Sequence, residues 1–563
     1  MNSGILLDAV VIVAYFAIVL FIGLRMSRGE KTVEGFALGN RQIAWWAVLA
    51  SILAAEISAG TFFGAPGEGF ALRNYTYIQL IIGYLLARVL VSAVFIPAYY
   101  RYNVVSIYEF LEMRFGPQTR RRASAVFLVT RLLASGTRLW VPTVLLVMIW
   151  NLAHPDLHAT PANEFWLCGG ALVFITLATA LYTTIGGIRA VIWTDVIQII
   201  VLVSALGFSL GYLIVHNGGW SAVSGTLFDA KMFDSGLKEG AGFLANVKGV
   251  LEQEYTLWAA FLGSTFVTLA THGTDQDMVQ RMLTAKNKRQ SAAATILSGL
   301  ADVPIQFAVL SIGILLAVYY GAHPDPLLPR NPDTGAVIAN KAYPHFILTV
   351  MPAGLRGLVL AGVLATTMGS LSTAINSLAT SYVRDFHFRW FGEPSDDKGR
   401  VRVLRLGTVI FALLFIVVGL GTAWVTAMNP QLRIIPIILG IFGYTYGSLL
   451  GVFLVGLFTR GRGNDFGNGI AMLIGFLVVV VLSGLHNDVW QLLHPHAWVV
   501  RDWVPVCIVG KIVPTLYVPV LKRAVLWQAD WLPVIEFPWR VFFGAVTSFA
   551  IAICFRSPRR MDA

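Results

Sequence analysis

Residues 49–70, LASILAAEISAGTFFGAPGEGF, constrain this chain most. They lie in an apolar segment long enough to cross a bilayer. Yet they carry Glu56, Pro66 and the glycines Gly60, Gly64, Gly67 and Gly69. A lipid-facing helix does not tolerate that mixture, because irregular backbone at membrane depth survives only where protein or a water-filled cavity covers it. An ionisable residue at that depth marks a functional site by default. A broken helix with an acid at the break is how a transporter holds an ion or substrate near the midplane. The blander alternative is a kinked helix whose glutamate snorkels to the interface.

The remainder of the chain is equally apolar. Of its 563 residues, 56% are hydrophobic and 13% charged, about half the charge of a soluble domain. The chain therefore reads as an all-α polytopic membrane protein. The net charge of +11 does not indicate nucleic acid, because the basic residues sit in short loops between apolar runs, as topology signals do. Cys168, Cys507 and Cys554 are scattered and fit neither a disulfide framework nor a zinc pattern. The first apolar run, 5–24, has no basic residue before it and is long enough to span, so it reads as a helix rather than a cleavable signal.

Thirteen apolar segments are long enough to cross: 5–25, 43–71, 76–100, 123–150, 165–185, 190–215, 254–280, 291–320, 354–383, 404–427, 433–459, 467–485 and 538–556. A further candidate, 503–521, contains Pro505, Pro514, Pro519 and Lys511 and is placed outside the bilayer. With the N-terminus outside, most of the 41 Lys and Arg fall in inner loops or the C-terminal tail. This is the distribution the positive-inside rule requires, and thirteen spans then put the C-terminus in the cytoplasm. The expected location is the plasma (inner) membrane. The connections near 217–250, 321–352 and 487–537 read as outer surface segments, and no soluble domain fits between spans. No Walker, HExxH or GxSxG pattern is present, so neither an enzyme nor a prosthetic group is expected. The ten histidines are dispersed, and the pair His494 and His496 reads as solvated.

Four polar groups sit where lipid would forbid them. The first is the break at 54–60, where unwinding frees backbone carbonyls. Those of Ala54 and Ile57 suit a hard cation such as sodium. The second is TTMGSLST at 366–373, where Thr366, Gly369, Ser370, Thr373 and Ser377 share one helical face beside Ser372 and Asn376. Hydroxyls in membrane helices also act as packing glue, so both readings stand from this segment alone. The third is Asp195, in IWTDVIQ at 192–198, which either pairs with Arg189 or relays a cation on the cytoplasmic side. The fourth is Arg131, Ser135 and Arg138, spaced i, i+4, i+7. Two guanidiniums in one membrane helix must face protein or water. Either one engages an anionic group on the substrate, or they pair with Glu56 or helix ends or snorkel outward.

At these residues the chain resembles the sodium/solute symporter family, which includes glucose, proline, iodide, monocarboxylate and sialic acid cotransporters. The resemblance covers about 5–485. It rests on Trp45-Trp46, Ala50-Ser51, AAEI from Ala54 to Ile57 and Gly64; on LYTTIGGIR from Leu181 with Trp193-Thr194-Asp195; on TDQ from Thr274 with Val279, Gln280 and Arg281; and on LRG from Leu355 with LATTMGSLST from Leu364, Asn376 and Ser377.

The resemblance implies a leucine-transporter-like 5+5 inverted-repeat core and sodium-driven alternating access. Its expected parts are 1–41, an extra helix and inner loop; 42–220, the first five-helix repeat; 221–462, the second; and 463–563, C-terminal helices with an outer amphipathic segment. It places one sodium site at Ala54, Ile57, Thr366, Gly369 and Ser370. Gly369 departs from the pattern, since relatives usually offer a hydroxyl there. A second sodium site maps to Asp195, Ser370, Ser372 and Thr373. Positions that contact hexose in the glucose branch fall on Glu56, Thr61, Ile81, Thr271, His272 and Ala301, mostly without sugar-binding side chains.

Candidates for the solute cavity are Glu56, Thr61, Gln79, Arg131, Arg138, His272 and Gln306, with Arg88 as a further polar group. Glu56 favours a cationic or hydroxylated substrate or sodium; the arginines favour an organic anion. The expected function is sodium-coupled import of a small polar solute, such as an anionic sugar or carboxylate, by a functional monomer. A proton-coupled carrier and a membrane sensor built on a transporter-like module are the alternatives.

Overall fold

The structure is a computed structural model. It describes residues 3–26, 32–140, 161–331, 335–428, 434–486, 506–508, 511–513 and 533–557, together with 142, 143, 147 and 150. Among these the regular structure is almost wholly helical.

The principal helices are α1 (Ser3–Met26), α2 (Trp45–Glu56), α3 (Ala59–Leu72), α4 (Leu80–Leu90), α5 (Pro117–Arg138) and α6 (Pro161–His216). They continue with α7 (Thr265–Gly273), α8 (Gln276–Met282), α9 (Lys288–Ala322), α10 (Ala339–Thr349), α11 (Leu355–Tyr382) and α12 (Asp397–Met428). The last are α13 (Ile434–Phe458), α14 (Asp465–Leu482) and α15 (Phe537–Ala552). Each expected apolar segment is mostly helix where it is described. Eight helices are long and apolar enough to cross a bilayer, and the bent pair α2–α3 makes a ninth, among the described residues. Helix α5 fails that test because of its arginines, and α15 because it is short.

Two boundaries are sharper in the structure. The spans 165–185 and 190–215 are two helices that meet without an intervening loop, at a kink on Gly187 (φ 54°, ψ −151°) within α6. A Cβ there would sit 2.4 Å from the Phe36 carbonyl oxygen, so only glycine allows this corner. The segment 254–280 is not one continuous helix either. It breaks between α7 and α8, where Asp275 takes extended dihedrals and its side chain accepts from Asp277 N–H. Periodicity alone does not distinguish that N-cap from an acid on a helix face.

Within 503–521 the described residues form two short antiparallel strands, Val506–Ile508 and Lys511–Val513, and no helix. His494, His496 and most of the expected amphipathic segment lie outside the described residues.

Helix α11 is the centre of the molecule, buried along most of its length. It packs against α6, α1, α12 and α5. The N-terminal helix is fixed to it by a group not singled out from sequence. Asp8 accepts from Gly354 N–H (2.7 Å) and Gly357 N–H (2.8 Å), and it pairs with Arg356 (2.6 Å). An acid of one helix thus satisfies the free N–H groups that open another. Asp8→Ala is expected to destabilise the folded protein by about 1–3 kcal/mol, the cost of leaving buried donors unmet. Thermal unfolding in detergent checks this.

Candidate functional site

The site begins at the break. The last α2 ladder bond is Ile57 N–H to Leu53 O (3.1 Å), and the first of α3 is Phe62 N–H to Ser58 O (2.9 Å). Carbonyls 54–57 therefore fall between two ladders, where they have no helical partner. Ile57 is extended (φ −82°, ψ 95°), Ser58 caps α3, and the two helices bend by 65°.

The hydroxyl face of α11 lies against this break. Thr366 Oγ1 donates to Val363 O (2.8 Å), and Ser370 Oγ donates to Thr366 O (3.0 Å). Ser372 and Thr373 both donate to Gly369 O (3.1 and 3.0 Å). Each hydroxyl hydrogen is turned into its own helix, so the oxygen lone pairs are left to face outward. The Ala54 carbonyl oxygen lies 3.3 Å from where a Cβ on Gly369 would be. The structure thus brings together Ala54 and Gly369, with Thr366 and Ser370 on the same helix face as Gly369.

Asp195 reaches the same place from α6. It is fully buried. Its Oδ2 accepts from Ser51 Oγ (2.5 Å) and lies 3.8 Å from Arg281 Nε, while its Oδ1 has no hydrogen-bond partner among the described residues. The expected partner Arg189 is not the one observed: Asp195 pairs with Arg281. Arg281 also donates to Ser51 (3.0 Å) and lies 3.4 Å from Asp277. Asp277 pairs in turn with Arg131, which also holds Asp275 (3.0 Å). Tyr446 donates to Asp275 (2.8 Å).

The solute candidates divide into two groups. Arg131 belongs to the ion network just described. Arg138, two turns on, does not: its guanidinium stacks over the Phe442 ring at 4.8 Å. It has no carboxylate within ion-pair reach among the described residues. It opens with Arg131 and Ser135 onto a cavity completed by Ser58, Thr367 and Ser370, so the break, the hydroxyl face and one uncommitted cation share one space.

Glu56 lies elsewhere, ion-paired with Arg88 and 2.8 Å from His272 Nε2. Arg88 also donates to Ser298 (2.8 Å). Gln306 donates to Asp302 (3.2 Å). Gln79 bridges Thr76 O, Tyr255 O and Asp234 N–H, bracing the loop that holds Asp234. Thr61 N–H donates to the Ser58 cap (3.4 Å). Residues not singled out as site members were Ser51, Asp275, Asp277, Arg281, Ser298 and Asp302. The spacing of Asp277 and Arg281 (i, i+4) and of Ser298, Asp302 and Gln306 was a usable signal, since each set falls on one helix face.

A model of the sodium:solute symporter family matches residues 36–146 and 166–475. The chain is 27% identical over 517 residues to a sodium/sialic acid symporter, SiaT, of Proteus mirabilis, covering 90% of this chain and 95% of that one. It is 29% identical over 503 residues to sodium/glucose cotransporter 1 of Ovis aries, covering 84% and 71%. A solved substrate-bound, outward-open Na+-coupled sialic acid symporter superposes with a TM-score of 0.73 at 20% identity, over 97% of each chain. The fold is leucine-transporter-like, the coupling ion is sodium, and the chain belongs to the sodium:solute symporter family of membrane transporters.

Proposed function

We propose that this protein imports a small organic anion together with sodium, and that Arg138 receives the solute's carboxylate. One observation carries this reading. Arg138 faces the cavity beside the helix break without a carboxylate partner among the described residues, whereas Arg131 is committed to Asp275 and Asp277. A guanidinium fork matches a carboxylate bidentately, and Ser58, Ser135 and Thr367 offer hydroxyl partners to a polyhydroxylated body. Relatives named for sialic acid make a sugar acid the first solute to test.

The glucose-type reading is less well supported, because Glu56, at one hexose position, is ion-paired with Arg88 and faces His272, at another, across 2.8 Å. The first sodium occupies Ala54, Ile57, Thr366 and Ser370 with Gly369, and a second lies between Asp195 and Ser370, Ser372 and Thr373. The repeats are 42–220 and 221–462, each beginning near a broken helix, α2–α3 and α7–α8. The protein works as a monomer in the plasma membrane with its C-terminus in the cytoplasm, and carries out transport rather than catalysis.

Binding to purified protein with and without sodium is the test, against sialic acid, a short monocarboxylate and glucose. Sodium-dependent binding of an acid but not of glucose is expected. Arg138→Gln should weaken that binding about 100-fold, or about 2.7 kcal/mol, within the range for losing a charge-assisted bidentate contact. Unchanged affinity in that variant would overturn the assignment.

A further inference from the structure

Gln198 is 1% exposed in the middle of α6, and neither its Oε1 nor its Nε2 has a hydrogen-bond partner among the described residues. Tyr15 and Tyr182 lie beside it, but neither reaches it in hydrogen-bonding geometry. A buried amide left unsatisfied is costly, and a native protein retains one where something else meets it.

What lies in front of the amide is distinctive. A Cβ on Gly369 would sit 2.7 Å from Gln198 Oε1, 3.3 Å from Ala54 O and 3.5 Å from Asp195 Oδ1. Three oxygens from two helices, α2 and α6, therefore lie around one point beside a residue of α11 that has no side chain to fill it. One is a carbonyl at a helix break, one an unpartnered carboxylate oxygen, and one an unpartnered amide oxygen. That donor set is all oxygen, which selects a hard cation. The carbonyl and the amide are neutral and serve the first of the two proposed ions, while the carboxylate oxygen supplies the negative charge on the side of the second.

We propose that Gln198 Oε1 is a sodium ligand and that the absence of a side chain at Gly369 makes room for it. This rests on the reading that sodium sits between α2 and α11. The amide contributes a ligand without adding charge, so the site stays matched to one sodium ion. Gln198 and residue 369 are then mutually exclusive sources of the same oxygen: a serine at 369 would collide with the amide, and removing the amide would give that serine space.

Sodium affinity of the purified full-length protein, read by radioactive sodium binding and by sodium-dependent thermal stabilisation, tests this. Gln198→Ala should weaken sodium binding about tenfold, and Gly369→Ser should also weaken it. The double variant Gln198→Ala with Gly369→Ser should return to within about threefold of the parent. The control Gln198→Ala with Gly369→Ala fills the same space without an oxygen and should stay as weak as Gln198→Ala. If Gln198→Ala does not fold, Gln198→Leu keeps the bulk and should show the same loss.

Unchanged sodium affinity in a folded Gln198 variant overturns the proposal, as does rescue by alanine equal to rescue by serine. Ser370→Ala separates the two readings. If it leaves sodium affinity intact, the location of the site is wrong. If it weakens sodium while Gln198→Ala does not, only the role of Gln198 falls.

Discussion

Arg281→Gln is expected to destabilise the folded transporter by about 3–5 kcal/mol, the cost of removing one partner from a buried ion pair, and to abolish uptake. The guanidinium is fully buried and faces three acceptors at once: Ser51 Oγ, Asp195 and Asp277. These come from α2, α6 and α8, so one side chain on α8 cross-links two other helices at the broken core. Without it, two fully buried carboxylates lose a counter-charge, and the remaining guanidinium, Arg131, already serves Asp275 and Asp277. Combining Arg281→Gln with Asp277→Asn should recover about 1–3 kcal/mol, because neighbours in one network do not add independently. Thermal unfolding in detergent measures both. A single variant within about 0.5 kcal/mol of the parent, the range of an unimportant surface change, would show that the carboxylates find their compensation elsewhere.

The sequence disclosed the parts of this core more readily than their partners. The break at 54–60 was legible because glycine, proline and acid together contradict a lipid-facing helix, and α2–α3 does bend there by 65°. The hydroxyl face of α11 was legible because a 3.6-residue period places Thr366, Gly369, Ser370 and Thr373 together, and one of them faces Ala54. The break at Asp275 was hidden, because capping depends on a side chain turning back onto its own backbone. The pairing of Asp195 with Arg281 rather than Arg189 was hidden for a different reason. It joins residues 86 positions apart, and no local pattern encodes such a contact. Arg131 and Arg138 illustrate the same limit. They share one helix and a two-turn spacing, yet one is bound into the ion network and the other faces the cavity.

Asp195→Asn is expected to lower the sodium Hill coefficient of uptake from about 2 to about 1, since that coefficient is bounded by the number of coupled sites. The reason lies in the charge of the buried cluster. Within the ion-paired network, which leaves Arg138 to the solute, Arg131 and Arg281 contribute two positive charges, whereas Asp195, Asp275 and Asp277 contribute three negative ones. An uncompensated charge is costly in a membrane interior, and the one carboxylate oxygen of Asp195 left without a partner points at the gap beside Gly369. On the two-ion reading proposed above, the second sodium ion removes the excess. The asparagine variant removes it permanently and so removes the need for that ion, while the site at Ala54, Thr366 and Ser370, built from neutral oxygens, is retained. Uptake should therefore continue with a single-ion sodium dependence. The reversal potential of transport in proteoliposomes should shift by the loss of one coupled charge. A Hill coefficient and reversal potential identical to those of the parent would show that Asp195 serves only to hold Ser51 and Arg281 in place.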